Sequence, residues 1–285
     1  MTTHPDTFDH NNAPLRIGRV RLKVRDLERV ADFYENVLGL TRLGNDQGKV
    51  TLGTSTTPLL ELAGDPTLSP RSRRDAGLFH TAFLLPSRAD LGRWLSFAIA
   101  NEIPLQGASD HIVSEAAYLA DPEGNGIEIY ADRAPSHWRD ARGGIHMTTE
   151  QMDARGVLAS AEGTQWSGFP EDGFIGHVHL QVGDTEDAKR FYRNVLGFDL
   201  ASDYPGAAFF GSGGYHHHLA GNIWNSRGAR QRPDGATGLE SVEIISRDTA
   251  TRDALLARVS KAGVELDADG ATVKDPWGTR IILAA

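Results

Sequence analysis

The chain has 285 residues and an apolar fraction of 40%, enough for one large domain or two medium domains with a sizeable core. Its formal charge of -9, with no dominant basic stripe, argues against a general nucleic-acid-binding protein. The lack of cysteine excludes disulfides and thiolate metal sites, and the lack of a signal core or a long apolar run predicts a cytoplasmic protein without a membrane partner.

The chain begins with a polar segment and continues into a repeated motif. Residues 1–15 are predicted to form a disordered tail because their composition is polar. Residues 17–40 read IGRVRLKVRDLERVADFYENVLGL, and residues 175–198 repeat this pattern without a gap as IGHVHLQVGDTEDAKRFYRNVLGF. Each copy contains an alternating strand, an Asp, an amphipathic helix and a Gly that ends the helix.

A second, fainter repeat lies between and after these copies. GLFHTAFLL at 77–85 resembles GLESVEIIS at 238–246, and DPEGNGIEIY at 121–130 resembles DPWGTRIILA at 275–284. The two repeats together predict four β-α-β-β-β modules and one connector with a single helix, TTEQMDARGVLASA. The modules are expected at 16–64, 76–132, 173–224 and 237–285, and the connector at 133–172.

The predicted fold class is therefore α+β, with the four modules paired into two open, barrel-like sheets. Each module has one sheet face covered by its helix and one open concave face, so two modules must pair to close the sheet edges. Strand edges that stay open are compatible with a homodimer.

Candidate metal ligands lie at equivalent places in modules two and three. Because side chains alternate along a strand, His177 is predicted on the concave face of its strand, and His80 matches it in the module plan. Glu128 lies between two isoleucines of another strand, where a buried carboxylate needs a partner. Two imidazoles and one carboxylate form the ligand set of a non-haem Fe(II) site, with Mn(II) as a substitute metal. The alternative interpretation is two hydrogen-bonded core histidines and a structural acid.

Module three also contains three consecutive histidines after Tyr215. If this run is a strand, His216 and His218 point to one face and His217 points to the other.

The repeat, and HVHLQVGDTEDAKRFYRNVLGF above all, resembles the vicinal oxygen chelate superfamily, which includes glyoxalase I, bleomycin-resistance proteins and extradiol dioxygenases. Two further stretches, DHIVSEAAYLADPEGNGIEIYADR and GGYHHHLAGNIW, resemble the bacterial four-module catechol 2,3-dioxygenases. The resemblance implies Fe(II)-dependent cleavage of a catechol-type aromatic diol by O2. It also implies three catalytic residues. His217, on the last strand of module three, is the acid–base group, and Tyr118 and His111 form hydrogen bonds with the substrate anion.

In this superfamily the ligands come from the first and last strands of two paired modules. The positions in modules one and four hold residues that do not form a metal site: Arg19, Glu61, Ser241 and Ile282. Only modules two and three together supply His80, Glu128 and His177. The resemblance therefore predicts a crossed pairing, with the metal between modules two and three and a metal-free pair of modules one and four.

Other functions remain open on the same scaffold. One class is a different metalloenzyme, either a hydroquinone dioxygenase or a glyoxalase-like enzyme with four protein ligands. A second class is a metal-free binding protein of the bleomycin-resistance type, and a third is a degenerate scaffold protein. The set His80, Glu128 and His177 argues against the metal-free binding protein, which needs no such ligands.

Overall fold

The computed structural model describes residues 6–285, in which strands predominate over short helices. Sixteen strands are formed by these residues: β1 (Leu15–Val24), β2 (Thr41–Asp46), β3 (Lys49–Gly53), β4 (Pro58–Gly64), β5 (Gly77–Leu84), β6 (Gly107–Asp110), β7 (Ser114–Ala120), β8 (Gly126–Asp132), β9 (Glu150–Gln151), β10 (Phe174–Gln181), β11 (Asp199–Tyr204), β12 (Ala207–Gly211), β13 (Leu219–Asn222), β14 (Gly238–Ser246), β15 (Thr272–Lys274) and β16 (Arg280–Ala284). The α-helices are α1 (Leu27–Phe33), α2 (Arg88–Ala100), α3 (Ala154–Ser160), α4 (Thr185–Ala188) and α5 (Thr249–Lys261).

The strands form two sheets, which confirms the predicted α+β class. One sheet has seven strands in the order β15-β16-β14-β1-β4-β3-β2, and the other has nine in the order β11-β12-β13-β10-β5-β8-β7-β6-β9. The first sheet thus holds the strands predicted for modules one and four, and the second those predicted for modules two and three. No helix within residues 6–285 is long and apolar enough to cross a membrane.

The described residues cluster into two compact units. One unit contains residues 6–7, 24–66 and 80–175, and the other contains residues 8–23, 67–79 and 176–285. In the first unit, Trp94 of α2 is fully buried and its indole N–H donates to the Val37 carbonyl at 3.0 Å. This hydrogen bond satisfies the indole N–H group, which would otherwise be costly to bury.

In each unit, a buried Tyr of the first sequence repeat contacts a buried Asp of the second repeat. In the second unit, the Tyr192 hydroxyl donates to Asp275 Oδ2 at 2.7 Å, and Asp275 Oδ1 accepts the backbone N–H groups of Trp277 and Thr279. Burial raises the pKa of Tyr192, and the neighbouring carboxylate raises it further. Tyr34 and Asp121 make the equivalent, longer contact of 3.5 Å in the first unit. The repeated Tyr and the Asp-Pro motifs therefore have a structural role.

The repeated helices begin and end as their sequences indicate. The side chains of Asp26 and Asp184 cap the helices by accepting backbone N–H groups of the first turn. Each helix then widens into a π-helical turn, Tyr34–Leu38 in one copy and Lys189–Val195 in the other. The glycine after each turn has a positive φ, 72° at Gly39 and 87° at its counterpart, a conformation that other residues rarely adopt.

Gly39 permits a close backbone approach as well as a left-handed turn. A Cβ at this position would lie 2.6 Å from Gly168 Cα and 2.8 Å from the Phe169 nitrogen. We expect Gly39→Ala to lower the free energy of unfolding by about 2 kcal/mol or more, because strain and overpacking combine. Gly44→Ala is the matched control, since its Cβ would meet nothing within 4 Å. Chemical denaturation of both variants measures the difference, and equal stabilities would contradict this assignment.

Two predicted elements differ from the observed ones. The connector helix expected from TTEQMDARGVLASA is restricted to α3, because Glu150–Gln151 pairs with β6 and the Asp153 side chain starts the helix by accepting the Gly156 N–H. Module four has only two strands after its helix among the described residues, β15 and β16, because residues 263–271 form turns and irregular backbone rather than a strand.

The prediction of a disordered tail is wrong for residues 8–15; residues 1–5 lie outside the described residues. Phe8 and His10 pack against the buried ring of Tyr215, with ring centroids 4.9 and 4.4 Å apart. Ala13 is buried, and Leu15 begins β1 with its N–H donating to Ser212 Oγ at 3.1 Å. Polar composition did not indicate this segment's contacts because they depend on two aromatic side chains.

Candidate metal centre

The carboxylate of Glu128 and the imidazole of His80 meet inside the first unit. His80 is the fourth residue of β5, and β5 runs parallel to β8 with Ala82 opposite Glu128. Both side chains are buried, with His80 6% and Glu128 3% exposed. His80 Nε2 lies 2.9 Å from Glu128 Oε2. The strand register thus brings a nitrogen and a carboxylate oxygen together away from water.

This contact needs a proton or a metal ion between its two atoms. A lone pair on Nε2 and a carboxylate oxygen repel each other unless a proton or a metal ion lies between them. Two donor atoms that would hold one divalent ion also lie about 3 Å apart, because each metal–ligand bond is roughly 2.1 Å long. The separation observed between His80 Nε2 and Glu128 Oε2 therefore fits two neighbouring ligands of one metal ion.

His177 is the third member of the predicted ligand set. It is the fourth residue of β10, as His80 is the fourth residue of β5, and it is 2% exposed. His80 and Glu128 in the first unit and His177 in the second each offer one buried ligand atom of the predicted set. A buried group of two imidazoles and one carboxylate suits a divalent transition metal.

Tyr118 and His111 form a hydrogen-bonded pair beside Glu128. Tyr118 in β7 is paired in register with Glu128 in β8, and its hydroxyl lies 2.6 Å from His111 Nε2. Burial raises the pKa of Tyr118, and the negative charge of nearby Glu128 raises this pKa further. Tyr118 therefore stays protonated at neutral pH and acts as a hydrogen-bond donor.

The orientation of His111 is set by the connector. His111 Nδ1 lies 2.7 Å from the Thr148 carbonyl oxygen, which can only accept, so Nδ1 carries a proton. In the neutral imidazole, Nε2 then accepts the Tyr118 hydroxyl. The contribution of the connector could not be predicted from its sequence, because every residue has a backbone carbonyl whatever its side chain.

His217 lies beside His177 in the second unit, with ring centroids 4.1 Å apart. Its predicted place on the last strand of the module is wrong, because that strand begins at Leu219 and the three histidines lie in the bend before it. The alternation argument for His216 and His218 fails for the same reason. His216 instead contacts His217 directly, with their Nδ1 atoms 2.8 Å apart.

The histidine bend is buried beneath aromatic side chains. His216 and His218 are fully buried, and the Tyr215 ring packs on both with centroid distances of 4.0 and 4.7 Å. The His10 ring approaches His218 at 6.2 Å. The N-terminal segment therefore packs over the bend that holds His217.

Residues 16–129 and 174–283 match the family model described as the glyoxalase/bleomycin resistance protein/dioxygenase superfamily. The chain belongs to this superfamily. It is 41% identical over 268 residues to catechol-2,3-dioxygenase of Bacillus subtilis (strain 168), covering 91% of this chain and 93% of the relative. It is also 29% identical over 166 residues to biphenyl-2,3-diol 1,2-dioxygenase 3 of Rhodococcus globerulus, covering 55% of this chain and 85% of the relative.

Solved structures of the superfamily share this fold. Glyoxalase I from Zea mays aligns with a TM-score of 0.52 and 18% identity, covering 96% of this chain and 93% of that one. At this level of identity the likeness concerns the fold alone. The resemblance inferred from the repeats is thus confirmed at the level of the superfamily.

Several aromatic side chains that the sequence did not point to lie near His217. Phe209 in β12 lies 5.1 Å from His217 and 5.7 Å from His179, measured between ring centroids. Trp224 and Phe79 lie 5.5 and 5.0 Å from the His179 ring. His179 lies two residues after His177 in β10 and so shares its face, but no sequence pattern links Phe79 or Trp224 to that strand.

Loss of the hydrogen bond between Tyr118 and His111 is expected to slow the reaction. We expect His111→Phe to lower turnover about 10–100-fold, the usual effect of losing a partner of a ligand shell. Tyr118→Phe should have a similar effect, and the double variant should be no worse than either single variant, because the two groups act as one unit. Steady-state kinetics of the three variants at matched metal content measure this, and additive losses would contradict the coupling.

Proposed function

We propose that the chain is an extradiol dioxygenase, which uses O2 to cleave the ring of a catechol-type aromatic diol. The observation that carries this proposal is the 41% identity, over nine-tenths of the chain, to a catechol-2,3-dioxygenase. The buried group of His80, Glu128 and His177 supports it, because the reaction class requires a metal with open coordination positions.

His80, Glu128 and His177 would hold the metal through two imidazole nitrogens and one carboxylate oxygen. This donor set favours Fe(II), with Mn(II) as the alternative, because neither thiolate nor a fourth protein ligand is present in the set. When bound, the divalent ion would supply Lewis acidity that lowers the pKa of a diol hydroxyl, together with open positions for the diol and O2.

His217 is proposed to remove a proton from the bound diol and to return it later. A base must keep a lone pair on the nitrogen that faces the substrate. In the hydrogen bond between His216 and His217, one Nδ1 donates and the other accepts. When the His217 Nδ1 donates, the lone pair is left on Nε2, so His216 would select the tautomer of His217 that can act as a base.

Tyr118 and His111 are proposed to stabilise the negative charge that develops on the substrate. Tyr118 keeps its proton because burial and Glu128 raise its pKa, and when substrate is bound its O–H would turn from His111 to donate to an oxyanion. His111, held by the Thr148 carbonyl, fixes the Tyr118 hydroxyl in position.

Oxygen uptake by protein loaded anaerobically with Fe(II) tests the proposal. Catechol, hydroquinone and the hemithioacetal of methylglyoxal should be offered in parallel, and catechol should consume O2 in an equimolar ratio. Oxygen uptake with hydroquinone alone would support a hydroquinone dioxygenase instead. Conversion of the hemithioacetal without O2 would support a glyoxalase, and a lack of any metal-dependent reaction would favour a binding protein.

A further inference from the structure

The loop that carries His111 has a strained backbone. It is the three-residue turn between β6 and β7, and it is closed by the His111 N–H, which donates to the Ser114 carbonyl at 2.8 Å. Ile112 in this turn has a φ of 68°, a left-handed conformation that a β-branched residue rarely adopts. Such a conformation persists only where the surrounding contacts hold it, and it is found preferentially at functional sites.

Asp110 holds this turn from one side. Its Oδ1 accepts the Ile112 backbone N–H at 2.8 Å, and its Oδ2 accepts a hydrogen bond from Arg133 Nη2 at 2.5 Å. The Asp110 and Arg133 side chains are 18% and 32% exposed, so water screens this ion pair less than a pair on the open surface. One carboxylate thus connects the strained peptide to a guanidinium group.

Arg133 also holds the turn through its backbone. Its N–H donates to the carbonyl of Val113, the last residue of the turn, at 2.8 Å. Arg133 directly follows β8, the strand that carries Glu128. Side chain and backbone of one arginine therefore attach the loop of His111 to the end of the strand that carries a proposed metal ligand.

The same arginine anchors the connector that orients the His111 ring. The Arg133 carbonyl accepts the indole N–H of the buried Trp138 at 2.8 Å, and the Trp138 carbonyl accepts the His146 N–H at 2.8 Å. Two residues further on, the Thr148 carbonyl binds His111 Nδ1. Arg133 is thus bonded both to the segment that carries His111 and to the segment that sets its orientation.

Glu115 completes a charge-balanced network around this arginine. It is 2% exposed and lies opposite Asp110 in the pairing of β6 with β7. Arg88 donates to both of its carboxylate oxygens, at 2.5 and 3.0 Å, and Arg133 Nη2 lies 3.2 Å from one of them. Two carboxylates and two guanidinium groups balance each other, which lowers the cost of burying them and fixes their geometry.

We propose that Arg133 and Asp110 are positioning residues, which hold His111 where its Nε2 places the Tyr118 hydroxyl. The consequence for turnover rests on the proposed function, in which Tyr118 and His111 stabilise the charge on the diol. The positioning itself depends only on contacts within the first unit.

Kinetics of Fe(II)-loaded protein with catechol test the consequence. Arg133→Met should lower kcat about 10-fold and change KM little, because the displaced group acts mainly in the transition state. Asp110→Asn should have the same effect, since an amide oxygen can still accept the Ile112 N–H but carries no charge for Arg133. In a His111→Phe background, neither substitution should lower kcat further, because both act through His111.

Arg93→Met is the matched control. Arg93 pairs with Asp90 on α2 at 2.5 Å, and their side chains are 30% and 16% exposed, which closely matches the pair of Arg133 with Asp110. Arg93→Met and Arg133→Met should therefore lower the free energy of unfolding by similar amounts, whereas only Arg133→Met should slow turnover. Equal kcat values for the two variants would contradict a positioning role.

NMR of the His111 imidazole tests the positioning without turnover. In protein loaded with diamagnetic Zn(II), the Nδ1 proton that faces the Thr148 carbonyl should give a downfield resonance, assigned by its loss in His111→Phe. This resonance should shift or broaden in Arg133→Met and Asp110→Asn but not in Arg93→Met. An unchanged resonance in both network variants, or a turnover loss that persists in the His111→Phe background, would overturn the proposal. Lack of catechol cleavage by wild-type protein, with a resonance that still depends on Arg133, would reject the proposed function and support the positioning.

Discussion

Replacement of His80 by Ala is expected to reduce the bound metal from about one ion per chain to below about 0.1, because a buried site with two remaining ligands binds a divalent ion poorly. His177→Ala and Glu128→Gln should have the same effect, and turnover should fall with metal content. Elemental analysis after Fe(II) loading measures the loss, and circular dichroism checks that each variant is folded.

Glu61→Gln is the control for the carboxylate. Glu61 lies on β4, the last strand of module one, as Glu128 lies on β8, the last strand of module two. Its carboxylate lies 3.5 Å from the Lys49 ammonium group, and we expect its replacement to leave metal content unchanged. Metal loss in Glu61→Gln together with full metal binding by His80→Ala would show that the ligand set is wrong.

A His217→Gln variant is expected to retain its metal and to lose turnover by about 10²–10⁴-fold, the usual range for removal of a general base. The reason is that a ligand nitrogen uses its lone pair to bind the metal, whereas a base nitrogen must keep its lone pair for a substrate proton. Elemental analysis and steady-state kinetics on the same preparation separate the two roles.

His137→Gln supplies the control for loss of an imidazole, since His137 is exposed on a short helical turn. This control should turn over at the wild-type rate. Near-normal turnover by the His217 variant would reject its role as a base. Loss of metal from that variant would instead make His217 a ligand, and would reopen the interpretation of a four-ligand, glyoxalase-like site.

Much of the architecture could be predicted because it repeats in the sequence. The Asp26 and Asp184 caps and the left-handed glycines recur at a constant offset, and local physics is enough to interpret them. The equivalence of His80 and His177 also came from the repeat, and both are the fourth residue of an eight-residue strand. The boundaries of the modules and the metal site stay predictions.

The errors occurred where tertiary contacts override local pattern. Alternation along a strand would place His216 and His217 on opposite faces, but the histidine run forms a bend, so these two adjacent residues can touch. The N-terminal segment was interpreted as disordered by composition, but the rings of Phe8 and His10 hold it against Tyr215. Neither contact is encoded in the periodicity of one segment.

The aromatic cluster near His217 could not be predicted for a different reason. Phe79, Phe209 and Trp224 come from three separate segments, and each is individually a normal strand or loop residue. Their grouping follows only from the path of the chain in three dimensions, and no spacing rule connects them.

The identity of the product formed from catechol tests the proposed function most directly. Protein loaded with Fe(II) should be mixed with catechol and O2, and the product should be identified by NMR and by its visible absorbance. We predict a yellow muconic semialdehyde, because cleavage occurs beside the two hydroxyl groups rather than between them. Formation of colourless muconate, or recovery of unchanged catechol from metal-replete protein, would contradict the proposal that this chain is an extradiol dioxygenase.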